Sequence, residues 1–190
     1  MLLRHVVSIF ALPVSVLIIV PALLVSLFPF VILWRFQFSA AISLLIAGIS
    51  LISIGFVLLY STIALFIKDG EGTIAPWNST RKLIINGFYS HVRNPLHIGV
   101  FLILIGESML VGSLPIAVWT LLFIAGNLIY IPLIEEQKLA ERFGDGYLIY
   151  KRNVPRWIPR LSSWKPNPQT WTNQNGLDPL FTSQTFQVLT

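Results

Sequence analysis

The sequence predicts an all-α, multi-pass membrane helical bundle of about four transmembrane helices, five if the first span is split, followed by a C-terminal interfacial helix. Three observations predict it. Mean hydropathy is +0.75, with 55% of residues hydrophobic and 11% charged, far from the balance of a soluble globular domain. Four apolar stretches, 6–34, 40–67, 96–111 and 115–134, are each long enough, or nearly so, to cross a hydrocarbon core about 30 Å thick. Beyond residue 134 the pattern turns amphipathic, with Leu139, Phe143, Tyr147 and Tyr150 recurring at helical spacing and charges between them.

The first stretch carries Pro13, Pro21 and Pro29, each of which removes a helix hydrogen bond, so it is read as one bent helix or two shorter pieces. Its apolar run is about twice the usual signal-peptide length and lacks a clear small-residue cleavage site, which favours a retained span. The second stretch has no proline, and its Ser43, Gly48, Ser50, Ser53 and Gly55 are read as a packing face where another helix comes close. From Lys68 to Trp77 turn residues dominate, and Trp77 fits the headgroup layer; 78–85 is read as a short surface helix or strand. The third and fourth stretches are joined by Gly112-Ser113-Leu114, a connection that makes them an antiparallel hairpin. The interfacial helix is expected to break near Gly144-Asp145-Gly146, and Pro, Asn, Gln and Thr from Ser162 onward predict a loosely ordered tail. The expected domains are 1–67, N-terminal transmembrane helices; 68–160, the core carrying the site; and 161–190, the tail.

Charge sorts by side of the membrane. With four spans, Arg4, Lys68, Arg81, Lys82, Arg93, Lys138, Arg142, Lys151, Arg152, Arg156, Arg160 and Lys165 share one side and only Arg35 the other, so both termini and the segment before the third span are placed in the cytoplasm. The net charge of +5 is not read as nucleic-acid binding, because the basic residues are not interleaved with exposed aromatics on a soluble face. The absence of cysteine excludes disulfides, thiolate catalysis and Cys-ligated zinc, and no metal site is expected.

Polar residues gather at one boundary: Gly87-Phe88-Tyr89-Ser90-His91-Val92-Arg93-Asn94-Pro95-Leu96-His97-Ile98-Gly99 leads into the third span, and the fourth ends at Glu135-Glu136. Asn94-Pro95 is a helix-start pattern, with Asn as the cap and Pro at the first helical position, leaving backbone donors near Leu96, His97 and Ile98 at a positive dipole end suited to an anion. Gly99 removes a side chain where a ligand or neighbouring helix can approach the backbone. A hairpin centred near Ser113-Leu114 sets Glu135 beside Val92 and Arg93, Tyr130 beside His97, Asn127 beside Gly99 and Glu107 beside Thr120. His91 reads as an interfacial residue and Arg93 alone as a positive-inside anchor. Glu107, near mid-membrane, reads as a protonated or hydrogen-bonded structural group. Taken together, the cluster reads as an active site at the cytoplasmic membrane surface.

These residues carry a resemblance. Asn86-Gly87-Phe88-Tyr89, Arg93-Asn94-Pro95-Leu96-His97-Ile98-Gly99, Glu135-Glu136, Phe143-Gly144-Asp145-Gly146-Tyr147 and Val154-Pro155-Arg156-Trp157-Ile158-Pro159-Arg160 resemble the isoprenylcysteine carboxyl methyltransferase and phospholipid N-methyltransferase superfamily. That superfamily carries a Gly-x-Tyr, an Arg-His/Asn-Pro-x-Tyr-x-Gly, a Glu-Glu and a Phe-Gly-x-x-Tyr element in this order. The resemblance implies transfer of a methyl group from S-adenosylmethionine to a lipophilic small molecule, lipid or prenylated protein. Carried over by position, it implies cofactor contacts at Arg81, Lys82, Leu83, Ile84, Tyr89, Asn94, Pro95, Leu96 and His97, with Glu135 as the principal acidic contact. Arg93 is expected to orient an anionic group, and His97 or Glu136 to take a proton where the acceptor is an amine or hydroxyl. Three positions depart from the pattern: His97 stands where the family has Tyr, Asn94 where its carboxyl-methylating members have His, and Ile131 where those members have Arg.

Two other classes fit the same cytosolic pocket or cluster. A sterol-type membrane reductase would bind NADPH there, though Glu135-Glu136 disfavours a phosphate-rich ligand. A non-catalytic membrane scaffold would use the cluster only as a helix cap and anchor.

Overall fold

A computed structural model describes residues 13–28, 38–69 and 83–166, and every regular element among them is helical or a single helical turn. Arg4, Arg35, Trp77, Arg81, Lys82 and the tail beyond residue 166 lie outside the described residues. The contacts divide the chain into two units: Met1–Ile84 with Asn94–Ile129, and Ile85–Arg93 with Tyr130–Thr190.

The first unit holds α1 (Ser15–Leu27), α2 (Phe38–Asp69), α3 (Pro95–Val111) and α4 (Leu114–Tyr130), the last residue of which already belongs to the second unit. α1 opens with a wide turn over Ser15–Ile19, in which the Val20 N–H reaches back to the Ser15 carbonyl just before Pro21. A π-turn of this kind accommodates the donor that proline lacks. The helix ends at Leu27, two residues before Pro29.

α2 and α3 meet through glycine. A methyl group at Gly55 would lie 2.7 Å from the Gly99 carbonyl oxygen, and one at Gly106 would lie 2.7 Å from that of Gly48. Backbones this close exclude any side chain and bring many atoms into van der Waals range, the usual device where lipid removes the hydrophobic drive between helices. Gly48 and Gly55 form the expected packing face, and Gly99 serves a neighbouring helix. Ser50 and Ser53 are not on that face: they are exposed and donate to the Ile46 and Ile49 carbonyls of their own helix. The surrounding core is Leu17, Leu59, Val100, Ile103 and Leu104, with Trp119 and Phe123 of α4 packed against it.

The hairpin of α3 and α4 turns earlier than the sequence indicates. Gly112 adopts φ 62°, ending α3, and Leu114 is already helical, so the turn centres on Gly112-Ser113. The pairing therefore slides by nearly a helical turn. Thr120 meets Leu104, not Glu107, donating to its carbonyl at 3.3 Å and to that of Ile116 at 2.8 Å, and Phe101 meets Phe123 edge-on at 6.1 Å. Glu107 keeps one carboxyl oxygen, Oε2, enclosed with no hydrogen-bond partner.

Two helical segments, Ile42–Leu65 and Leu114–Asn153, are long and apolar enough to cross a membrane; Ser15–Leu27 and Pro95–Val111 are apolar but shorter. Leu121 and Leu122 on α4 and Phe56 and Val57 on α2 are each more than half exposed, as suits surfaces solvated by acyl chains.

In the second unit a π-turn, Ile131–Glu135, leads into α5 (Glu136–Asn153), after which the chain runs as an irregular strap to residue 166. The expected break falls at Gly144, whose φ of 54° and ψ of −136° interrupt α5. The strap folds back on the segment before α3. Arg93 N–H donates to the Pro155 carbonyl at 2.9 Å, Arg160 N–H to that of His91 at 3.0 Å, and Trp164 N–H to that of Ser90 at 3.0 Å. Ser163 Oγ donates to Ser90 Oγ at 2.9 Å. Order thus extends through Ser163 and Trp164, residues whose composition alone reads as loose tail.

Candidate functional site

The acidic pair Glu135-Glu136 sits where the apolar stretch 115–134 gives way to α5, and its two carboxylates have opposite surroundings. Glu136 is 2% exposed and gathers three cations: Arg156 Nε at 2.6 Å, Arg93 Nη1 at 2.8 Å and Lys151 Nζ at 3.0 Å. Arg156 also donates through Nη2 to the second oxygen at 2.9 Å, making the two-pronged contact that planar guanidinium favours. Burial by itself raises the Glu136 pKa, but the hydrogen bonds from Arg156 and Lys151 and the charges of Arg93 and Arg156 outweigh it and hold the carboxyl below its usual range. The same contact with Glu136 raises the Arg156 pKa.

Glu135 is the converse. It is half-buried and has no hydrogen-bond or ion-pair partner among the described residues. Burial, and then the neighbouring Glu136 charge, push its pKa up. Two adjacent acids whose surroundings drive their protonation apart are a recurrent sign of divided labour.

The aromatic floor beneath them is built by α5 and the turn Gly87–Ser90. Tyr150 donates from its hydroxyl to the Tyr89 carbonyl at 2.8 Å, stacks at a tilt 5.9 Å from Trp164, and lies 6.2 Å from Tyr147. Tyr147 is 2% exposed; burial first, then the Glu136 charge, push its phenol up to about 12 against the opposing pull of Arg93. Tyr89 is raised in the same direction by burial and by the charge of Glu135. Arg93 is itself nearly enclosed, with 9% of its side chain exposed, and its Nε has no hydrogen-bond partner.

The second unit therefore brings together Tyr89, Arg93, Glu135 and Glu136. Arg93 meets the acidic pair as the hairpin argument expects, although through Glu136. Asn94, Pro95, Leu96 and His97 stand at the head of α3 in the first unit. Pro95 takes the first helical position, and the first intrahelical bond runs from Ile98 N–H to the Asn94 carbonyl at 3.1 Å. Asn94 is buried at the cap position, but its side chain makes no capping bond. The His97 ring is 6.5 Å from Phe101. Leu83 and Ile84 are half-buried in irregular chain, and Arg81 and Lys82 fall outside the described residues. His91, read as an interfacial residue, ties the strap: its Nδ1 lies 2.9 Å from the Arg160 carbonyl oxygen.

Sequence reasoning missed Lys151 and Arg156 as partners of Glu136, counting them only as charges on one side of the membrane. A carboxylate entering a buried position requires neutralising neighbours, but nothing in the sequence singles out these two among the cations that follow it. Among the described residues no group of three or more His, Asp or Glu is arranged to hold a metal.

An apolar helical chain with paired acids and an arginine at the edge of its last apolar helix carries the motifs of the superfamily that the sequence resembles. The phospholipid methyltransferase family model matches residues 43–146, more than half of the chain, and the protein belongs to this family. It is 34% identical over 90 residues to the protein-S-isoprenylcysteine O-methyltransferase of Schizosaccharomyces pombe (strain 972 / ATCC 24843), a match covering 44% of this chain and 36% of that relative. The chain thus spans little more than a third of the relative's length. No solved structure matches it. The superfamily resemblance drawn from the ordered motifs is borne out.

Proposed function

We propose that the protein is a multi-pass integral membrane methyltransferase that moves a methyl group from S-adenosylmethionine to a lipophilic acceptor, with both termini and the active site on the cytoplasmic side. Four spans, formed by α1, α2, α3 and α4, give the charge asymmetry its simplest reading. The observation that carries the proposal is the family match over 43–146, which runs from α2 through the acidic pair.

Two groups in the second unit that have no partner among the described residues fit polar groups of such a cofactor. The Glu135 carboxylate suits an ammonium or ribose hydroxyls, and the enclosed Arg93 Nε suits a carboxylate. The proposed cofactor contacts are Arg81, Lys82, Leu83, Ile84, Tyr89, Asn94, Pro95, Leu96, His97 and Glu135. At the head of α3, the Leu96 and His97 N–H groups precede the first intrahelical bond and form an anion-favouring end.

When bound, the cofactor supplies an electrophilic methyl on a sulfonium, displaced in line by the acceptor. The protein's task is then alignment and exclusion of water, with little covalent work of its own. Arg93 orients an anionic group. A carboxylate acceptor requires no base. For an amine or hydroxyl, the candidate proton acceptors are His97 and Glu136, the latter already satisfied by three cations. The acceptor is drawn from prenylated protein, phospholipid or another apolar molecule, in keeping with the family.

The test is labelled methyl transfer from S-adenosylmethionine into total membrane extract, separated into lipid and protein fractions, with Glu135→Ala as control. The expected result is label in one fraction that the substitution removes. Label in neither fraction contradicts the proposal, and binding of NADPH with none of S-adenosylmethionine would favour a reductase.

A further inference from the structure

The strap after α5 presents an arrangement that the site does not use. Ile158 is 80% exposed and Leu161 is fully bare, within the run Trp157-Ile158-Pro159-Arg160-Leu161. These side chains are not on a loose end. Backbone bonds at Pro155, Arg160 and Trp164 pin the strap to the segment 90–93, and Arg160 Nη1 donates to the Asn153 carbonyl at 2.9 Å, closing the end of α5. The two apolar tips stand between the pinned positions, so their ordering is achieved in the folded chain before anything covers them.

The surrounding charge has one sign. Residues 151–165 contain Lys151, Arg152, Arg156, Arg160 and Lys165 and no Asp or Glu. Glu136 neutralises one charge among Arg93, Lys151 and Arg156, so a large positive excess remains, with Arg152 and Lys165 exposed. Preorganised aliphatic tips in a segment that carries tryptophan and basic residues match the headgroup region of an anionic bilayer: the tips enter the acyl boundary, indole lies at the interface, and the exposed cations meet lipid phosphate.

We propose that the 154–164 strap is a membrane-docking hook that inserts Ile158 and Leu161 into the cytoplasmic leaflet, with anionic phospholipid recognised through the exposed cations on either side of it, Arg152 and Lys165. The hook fixes the second unit against the same surface from which a lipophilic acceptor would arrive. It rests on the membrane placement of the apolar helices and is independent of which methyl acceptor is used.

The cysteine-free sequence allows a direct test. Spin labels are placed on Ile158→Cys and Leu161→Cys in the full chain, reconstituted in phosphatidylcholine vesicles with or without phosphatidylglycerol, and collision with oxygen is compared with collision with an aqueous nickel chelate. Oxygen access with chelate exclusion at both positions is expected, deeper with phosphatidylglycerol, and Arg152→Gln combined with Lys165→Gln should abolish the lipid dependence. Chelate access equal to that of the urea-unfolded chain would overturn the hook. So would exclusion of both reagents, which would mean that protein covers the tips, and equal depth in the two lipids would overturn recognition of anionic headgroups. Both labelled positions are exposed, so the substitutions leave the fold's interior untouched.

Discussion

Between α2 and α3, two backbones approach until a methyl group at Gly106 would fall 2.7 Å from the Gly48 carbonyl oxygen; around Glu136, one enclosed carboxylate draws in Arg93, Lys151 and Arg156. The first region is held by the absence of side chains and the second by their charge. The difference follows from solvent. Where acyl chains surround the helices, apolar contact with a partner is gained over lipid only through closeness. Beyond residue 134, where the sequence turns amphipathic, charges are delivered to a buried acid and the strap is fixed by hydrogen bonds to the segment 90–93. The two regions should therefore answer differently to substitution, acid and salt.

The largest effect is expected at Glu136. Glu136→Ala leaves Arg93 enclosed without its counter-charge and should destabilise the second unit by about 3 kcal/mol, the low end for a broken buried pair because Lys151 and Arg156 are partly exposed. Hydrogen exchange should report it as lost protection over 85–93 and 136–164, with α2 and α3 little changed. Acid should produce a milder version. Because the folded-state pKa of Glu136 is depressed, its stabilisation is fully present above the carboxylate's unfolded value and is lost as pH falls through the folded one. Unfolding midpoints followed downward from neutral pH should thus fall in the wild type and stay flatter in Glu136→Gln.

Gly55→Val tests the other region. A side chain there meets the Gly99 carbonyl and Ile103 at 2.7 Å, so separation of the helices should lower stability by about 1–3 kcal/mol. Denaturation in mild detergent should show this loss to be unchanged by salt and pH. A salt-dependent loss would break the comparison. Next comes Tyr150→Phe, which removes the donor to the Tyr89 carbonyl and should lower the stability of the second unit by about 1 kcal/mol, read from its unfolding midpoint. The smallest effect is expected from Ser163→Ala, about 0.5 kcal/mol, since its hydroxyl contact with Ser90 lies near solvent.

The helices were legible in the sequence because hydropathy and helix punctuation are local. Pro95 at the first position of α3, Gly112 at its end and the break at Gly144 are each set by backbone constraints a single residue imposes. Gly48, Gly55 and Gly99 could be read as contact points for a like reason. The hairpin register was less accessible: moving the turn from Ser113-Leu114 back to Gly112 shifts each pairing by twice that displacement, which carries Thr120 from Glu107 to Leu104. The motif order pointed to the acidic pair and to Glu135 within it, but not to the cations that gather on Glu136. That gathering depends on the break at Gly144 within α5, on Lys151 beyond it and Arg156 after the helix reaching Glu136, and on a strap that gives no periodic signal. Arg93 was placed near the acids by depth counting alone, which is accurate to about a turn and cannot choose between neighbouring residues.

The central proposal is that the two acids divide their work, with Glu136 holding the second unit together and Glu135 meeting the ligand. The most direct measurement is the affinity of Glu135→Gln for S-adenosylmethionine in lipid, made alongside its unfolding midpoint. The account predicts a midpoint close to wild type with affinity reduced about tenfold or more, the worth of one charge-assisted contact. Wild-type affinity in Glu135→Gln, or a loss of affinity that only accompanies unfolding, would contradict it.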